Sequence, residues 1–182
     1  MFTMIFIYIL NLVFSICNAF FCGQIWKDAV NGFQWLVKWS VATMSAVGFS
    51  WCFLMPAAFL GSKFGLLAEG TAALALGYGA LIFIPLVVLT GIIITLNSWR
   101  MFFQSKSLGD GLVAGWNTYA QVHNTYNAVT FLPDIFKDVL KASTSSEKDS
   151  KSLVAAIVLA LGAVSLGVLI TRYIILTTAY GA

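Results

Sequence analysis

The chain has 182 residues, 60% of them hydrophobic and only 9% charged, with a mean hydropathy of +0.90. A water-soluble domain carries about a quarter charged residues, so this chain has too little polar surface to cover itself in water and requires lipid. Its net charge of +3 is not the dense basic patch that a nucleic-acid partner demands.

The first apolar run, 1–22, has Asn11 and Asn18 as its most polar members. Cys17-Asn18-Ala19 loosely matches a signal cleavage site, but the run lacks a basic n-region and is read as a first membrane span. Asn11, Ser15, Asn18 and Cys22 recur at spacings of four, three and four, which aligns them on one helical face. In lipid such a stripe favours contact with another helix, where each hydrogen bond is worth about 0.6 to 2 kcal/mol. It serves either packing within the chain or contact between copies. The connection 23–34 carries Trp26, Lys27 and Asp28, and the second span, about 35–60, opens with Trp35, Lys38 and Trp39. Indoles beside a snorkelling lysine mark a headgroup boundary. Pro56 is expected to bend or end this span, and Gly61 to Glu69 to form a tight turn.

The third span, about 71–99, lies in a run from Gly70 to Trp99 without one charged side chain. A helix of that length reaches about 45 Å, against about 30 Å of bilayer hydrocarbon. Gly70, Ala73, Gly77 and Ala80 recur at three, four and three, a face without bulk on which another helix approaches closely. Pro85 lies near the middle, where a proline serves either as plain helix geometry or as a gating hinge.

Residues 100–152 are the one sizeable polar region. Leu112, Trp116, Tyr119, His123, Tyr126 and Thr130 repeat at four, three, four, three and four, an aromatic stripe opposite Asn117, Gln121, Asn124 and Asn127. The segment is expected to lie in the membrane interface or against a partner. Pro133 is expected to open a second short helix, with Ile135, Phe136, Val139 and Leu140 as its apolar side and Asp134, Lys137, Asp138 and Lys141 in water. A Ser-rich linker follows, in which Thr144 and Glu147 match a capping box.

The fourth span, about 153–178, carries Ala156, Ala160, Ala163 and Gly167 at four, three and four, a small-residue seam whose expected mate is the Gly70 to Ala80 face. Arg172 near its end is expected to snorkel, or else to pair with a buried group such as Asn11. Lys27, Lys38, Arg100, Lys106, Lys148 and Lys151 flank the first and third connections, against Lys63 and Arg172 opposite. The positive-inside rule then places loops 23–34 and 100–152 on the cytoplasmic side and both termini on the other. Trp26, Trp35, Trp39, Trp99 and Trp116 fall near the same inner boundary.

Chemistry-bearing patterns are missing. His123 is the single histidine and has no cysteine near it, so no metal site is expected. Cys17, Cys22 and Cys52 sit in apolar runs without a C-x-x-C pair. Neither a phosphate-binding glycine loop nor a set of ionisable groups at membrane depth is present. No catalytic residue, cofactor or small-molecule substrate is expected.

These readings combine into an all-α, multi-pass membrane protein, a single membrane domain over 1–182 with about four transmembrane helices and a short interfacial helical segment between spans three and four. Its expected role is that of a non-enzymatic subunit of a larger complex, such as a secretion or conjugation apparatus, a respiratory-type assembly or a viral membrane. Assembly would use helix packing at Asn11, Ser15, Asn18, Ala73, Gly77, Ala156, Ala160, Ala163 and Gly167, and partner contact at Trp116, Tyr119, His123 and Tyr126. The partners are the lipid bilayer and other membrane subunits or copies of the chain. The rival reading is an oligomeric, holin-like pore lined by the polar faces of spans one and two.

Overall fold

Five helices follow one another among the residues described, 2–28, 31–145 and 150–181, in the computed structural model. They are α1 (Phe2–Trp26), α2 (Gly32–Lys63), α3 (Glu69–Ser105), α4 (Leu108–Ser145) and α5 (Ser150–Tyr180). Four of them, all but α4, are long and apolar enough to cross a membrane.

Local signals explain the ends. Asn31 starts α2 by accepting the Gln34 amide on its side-chain oxygen at 2.9 Å, an N-cap that satisfies an orphan donor. After α2 the chain reverses at Gly65, whose φ of +69° is open to glycine without strain. There the Leu67 amide donates to Gly61 O at 2.9 Å. Ser107 caps α4, its hydroxyl accepting the Asp110 amide at 3.1 Å and donating to the Asp110 carboxylate at 2.9 Å. Only the N-cap half of a capping box is made, because the Ser107 amide donates to Ser105 Oγ at 3.1 Å rather than to the Asp110 carboxylate.

The prolines do not divide the helices. Pro56, Pro85 and Pro133 all lie inside continuous helix. Each removes one backbone donor, and packing neighbours hold the rest of the ladder. The two short helices expected around Pro133 are therefore one helix of 38 residues. Thr144 is part of its interior, donating to Leu140 O and Lys141 O, and Glu147 of the expected capping box lies outside the described residues.

Paired contacts give the direction of every helix. Tyr8 reaches Cys52 O while Cys22 reaches Lys38 O, so α1 and α2 are antiparallel. Trp51 packs on Phe83 and Phe33 lies under Arg100, which makes α3 antiparallel to α2. Trp99 meets Thr118 near the α3–α4 turn, and Tyr78 meets Ser143 at the other end. Ser45 touches both Ser15 and Thr171, and Gly23 packs against Thr178, so α5 runs parallel to α1. The chain thus travels the bundle five times. Phe2 and Tyr180 stand at opposite ends of it, where a four-span reading expects both on one side.

Around a few large core side chains such as Leu54 and Phe83, the interior is rich in small residues, and many large ones face outward. Ala19, Ala58, Ala75, Ala114, Ala156, Ser45 and Ser50 are buried, whereas Phe6, Phe59, Leu89, Leu161 and Tyr173 are exposed. Water would penalise that arrangement by exposing apolar area. Several buried hydroxyls satisfy themselves on the preceding turn, as Ser40 does on Leu36 O, Ser50 on Ala46 O and Thr90 on Leu86 O.

Candidate assembly surfaces

The asparagine stripe of α1 faces α2. Asn11 donates to Gly48 O at 3.1 Å and to Cys52 Sγ at 3.4 Å, and Ser15, buried, returns its hydroxyl to Asn11 O at 2.7 Å. The approach is close because Gly48 has no Cβ, which would collide with the Ser15 hydroxyl. Asn18 is half-buried on the same helix. One helical turn before Gly48 on α2, Ser45 donates to Ser15 O at 2.7 Å and lies 3.2 Å from the Thr171 hydroxyl, joining α1, α2 and α5 at one point. Sequence reading singled out neither Ser45 nor Thr171, since one serine and one threonine in separate apolar runs carry no periodic signal.

Lys38 departs from the snorkelling expectation. It is buried, and its ammonium donates to Trp26 O at 2.8 Å, the carbonyl end of α1. A cation there satisfies an orphan carbonyl and opposes the helix dipole. Arg172 likewise does not pair with Asn11, whose amide is committed to α2.

The small-residue seams mate differently from the expectation. On α3, Gly70 meets open space and Ala73 is exposed, while a Cβ at Gly77 would strike Val139 of α4. On α5, Ala156, Ala160 and Ala163 are buried, and Gly167 lies on the α2 backbone, where a Cβ would stand 2.5 Å from Ala46 O and 2.8 Å from Ser50 N. Ala156 and Ala163 share a core cluster with Leu54 of α2 and with Leu74 and Ala75 of α3. The seam therefore spreads over two helices, with its glycine on α2. Spacing along one helix identifies a smooth face and says nothing of which neighbour fills it.

The largest departure is α4. It lies along α3 rather than across the end of the bundle, with its polar side turned inward. Asn117 donates to Ser98 Oγ at 2.6 Å, Thr95 donates to Asn117 O at 3.2 Å, Trp99 donates to Thr118 Oγ1 at 2.9 Å, and Gln121 donates to Val88 O at 3.1 Å. Gly91 makes room for the Gln121 side chain. Trp116, Tyr119, His123 and Tyr126 stand on the opposite side, all exposed. Trp116 and Tyr119 are 5.9 Å apart, and Tyr119 stacks on His123 at 6.2 Å with planes 15° apart. At the start of α4, hydrogen bonds from Ser105 and Ser107 hold the exposed Asp110 carboxyl below the usual carboxylate range.

This course of α4 also redistributes charge. Lys27, Lys38, Arg100, Lys106 and Arg172 lie toward the end where α1 meets α2, and Lys63, Lys137, Lys141 and Lys151 toward the other. The inner-side excess counted from sequence depended on treating 100–152 as one loop, and among the described residues it narrows once α4 returns the chain to the far end. Among the described residues no three His, Cys, Asp or Glu side chains are grouped to hold a metal ion. The chain matches no protein-family model, no curated protein and no solved structure.

Proposed function

We propose that this chain is a non-enzymatic integral membrane subunit that works by assembly, with the outer face of α4 as its contact surface toward copies of itself or other membrane subunits. One observation carries this reading: a helix rich in Asn, Gln, Thr and Tyr lies along the apolar helix α3 and leaves its aromatic side uncovered. Placed beside a membrane span, that side presents tyrosine hydroxyls, an indole N–H and an imidazole to its surroundings. Hydrocarbon offers such groups no hydrogen-bond partner, and leaving them unpaired costs about 1 to 3 kcal/mol each in proteins. A neighbouring helix supplies both the partners and the apolar contact.

The pore reading has less to stand on. Its lining was to be the polar faces of spans one and two, and in this chain Asn11 and Ser15 are spent on α2 and α1 themselves. The deciding experiment is gentle extraction from native membranes, with the particle mass measured and every co-purifying protein identified. A defined particle larger than the 19.8 kDa chain is expected, and a Tyr119→Ser, Tyr126→Ser double variant is expected to shrink it. A monomer without partners, or a particle indifferent to that change, overturns the proposal. A ring of this chain alone with measurable conductance would revive the pore.

A further inference from the structure

Between α2 and α5 the bundle leaves a groove of about 410 Å³, inside the range of roughly 300 to 1,000 Å³ usual for small-ligand sites. Ala42 and Ala46 form its α2 wall and Val168 and Arg172 its α5 wall, with Trp26 and Trp39 among its lining. The two indoles meet edge to face at 5.6 Å. The space exists because α2 presents alanines where α5 presents larger side chains.

Arg172 gives the groove its chemistry. It is exposed, and among the described residues no carboxylate pairs with it. Several neighbouring polar groups are already engaged: Thr171 with Ser45, Lys38 with Trp26 O, and Lys27 over the Tyr180 ring at 4.8 Å. An unpaired guanidinium thus stands at one side of an apolar trough, level with paired tryptophans of the kind that settle at the headgroup boundary.

We propose that this groove binds one membrane phospholipid, its phosphodiester held by Arg172 and an acyl chain lying along Ala42, Ala46 and Val168. The planar guanidinium matches two phosphate oxygens at once. Partial removal from water at the belt strengthens that contact. A carboxylate from a protein partner satisfies only the cation and leaves the trough empty, whereas a phospholipid supplies anion and chain together. The proposal rests on the membrane reading above.

The test is native mass spectrometry of the full chain in dodecyl maltoside micelles doped with phosphatidylglycerol. The wild-type chain is expected to retain one phospholipid after the detergent is stripped. Arg172→Gln, which removes the anion contact, and Ala46→Phe, which fills the trough, are each expected to lower retention by about tenfold or more. Lys151→Gln, at the far end of α5, is expected to leave it unchanged. Thermal melting of each variant separates lipid loss from misfolding, and Arg172→Lys, which keeps the charge without the fork, is expected to fall between. Failure of the wild-type chain to retain lipid overturns the site, as does retention at the wild-type level in either Arg172→Gln or Ala46→Phe, the behaviour of annular lipid. A chain that stays soluble and monodisperse without detergent would instead overturn the membrane reading itself.

Discussion

Gly162 and Gly167 lie on the same helix and make a matched pair. A Cβ added at Gly162 meets nothing within 4 Å, whereas at Gly167 it would stand 2.5 Å from Ala46 O and 2.8 Å from Ser50 N. Those are backbone atoms of α2 and cannot rotate away. Reaching even 3.0 Å requires α5 to withdraw by about 0.5 Å, and a gap of that size forfeits about a quarter of the dispersion attraction along the contact. Overpacking of this kind costs about 1 to 3 kcal/mol. The gain in helix propensity from Gly to Ala, about 1 kcal/mol, is common to both sites and cancels in the comparison. Gly167→Ala should therefore be less stable than Gly162→Ala by about 1 to 3 kcal/mol, read from SDS-induced unfolding in mixed micelles by tryptophan fluorescence. Equal stability of the two variants, or a more stable Gly167→Ala, would refute the close α2–α5 contact.

Three further outcomes follow from single contacts. Lys38→Met keeps the buried volume but leaves Trp26 O unmet, so it should cost about 1.5 to 3 kcal/mol and speed amide exchange at the α1 terminus; unchanged exchange there would count against the cap. Ser45→Ala and Thr171→Val should each destabilise the bundle by about 0.6 to 2 kcal/mol. Their double mutant should cost less than the sum, because they share one contact, and strict additivity would contradict the hydroxyl pair. Asp110 has a folded-state pKa below its ordinary 3.8, so its contribution is present above that value and lost as pH falls through the depressed one. Carboxyl ¹³C titration should show the low midpoint, and Ser105→Ala should move it upward; a midpoint unaffected by that change would remove the hydroxyl as its cause.

Composition and period made the apolar helices legible. An uncharged run such as Gly70 to Trp99 satisfies its own backbone as a helix, and few alternatives bury it. The stripes were legible too, since Asn11, Ser15 and Cys22 indeed share a face directed at α2. Less visible were contacts made by isolated residues. Lys38 reads as a boundary lysine until α1 ends beside it, and Ser45 has no signal until Ser15 and Thr171 arrive from opposite sides.

By itself the sequence determined that the chain is helical, apolar and divided at connections such as 23–34 and Gly61 to Glu69, because turns and hydrophobic runs act over a few neighbouring residues. Only the tertiary structure decided what α4 does. Its amphipathic pattern is symmetric to a reader: either the aromatic side or the amide side has a claim to the interior. The outcome turned on α3, which offers Thr95, Ser98, Trp99 and the Val88 carbonyl at the right heights for Asn117, Thr118 and Gln121. Hydrogen bonds between these two helices settled the rotation that periodicity leaves open, and with it the face left uncovered.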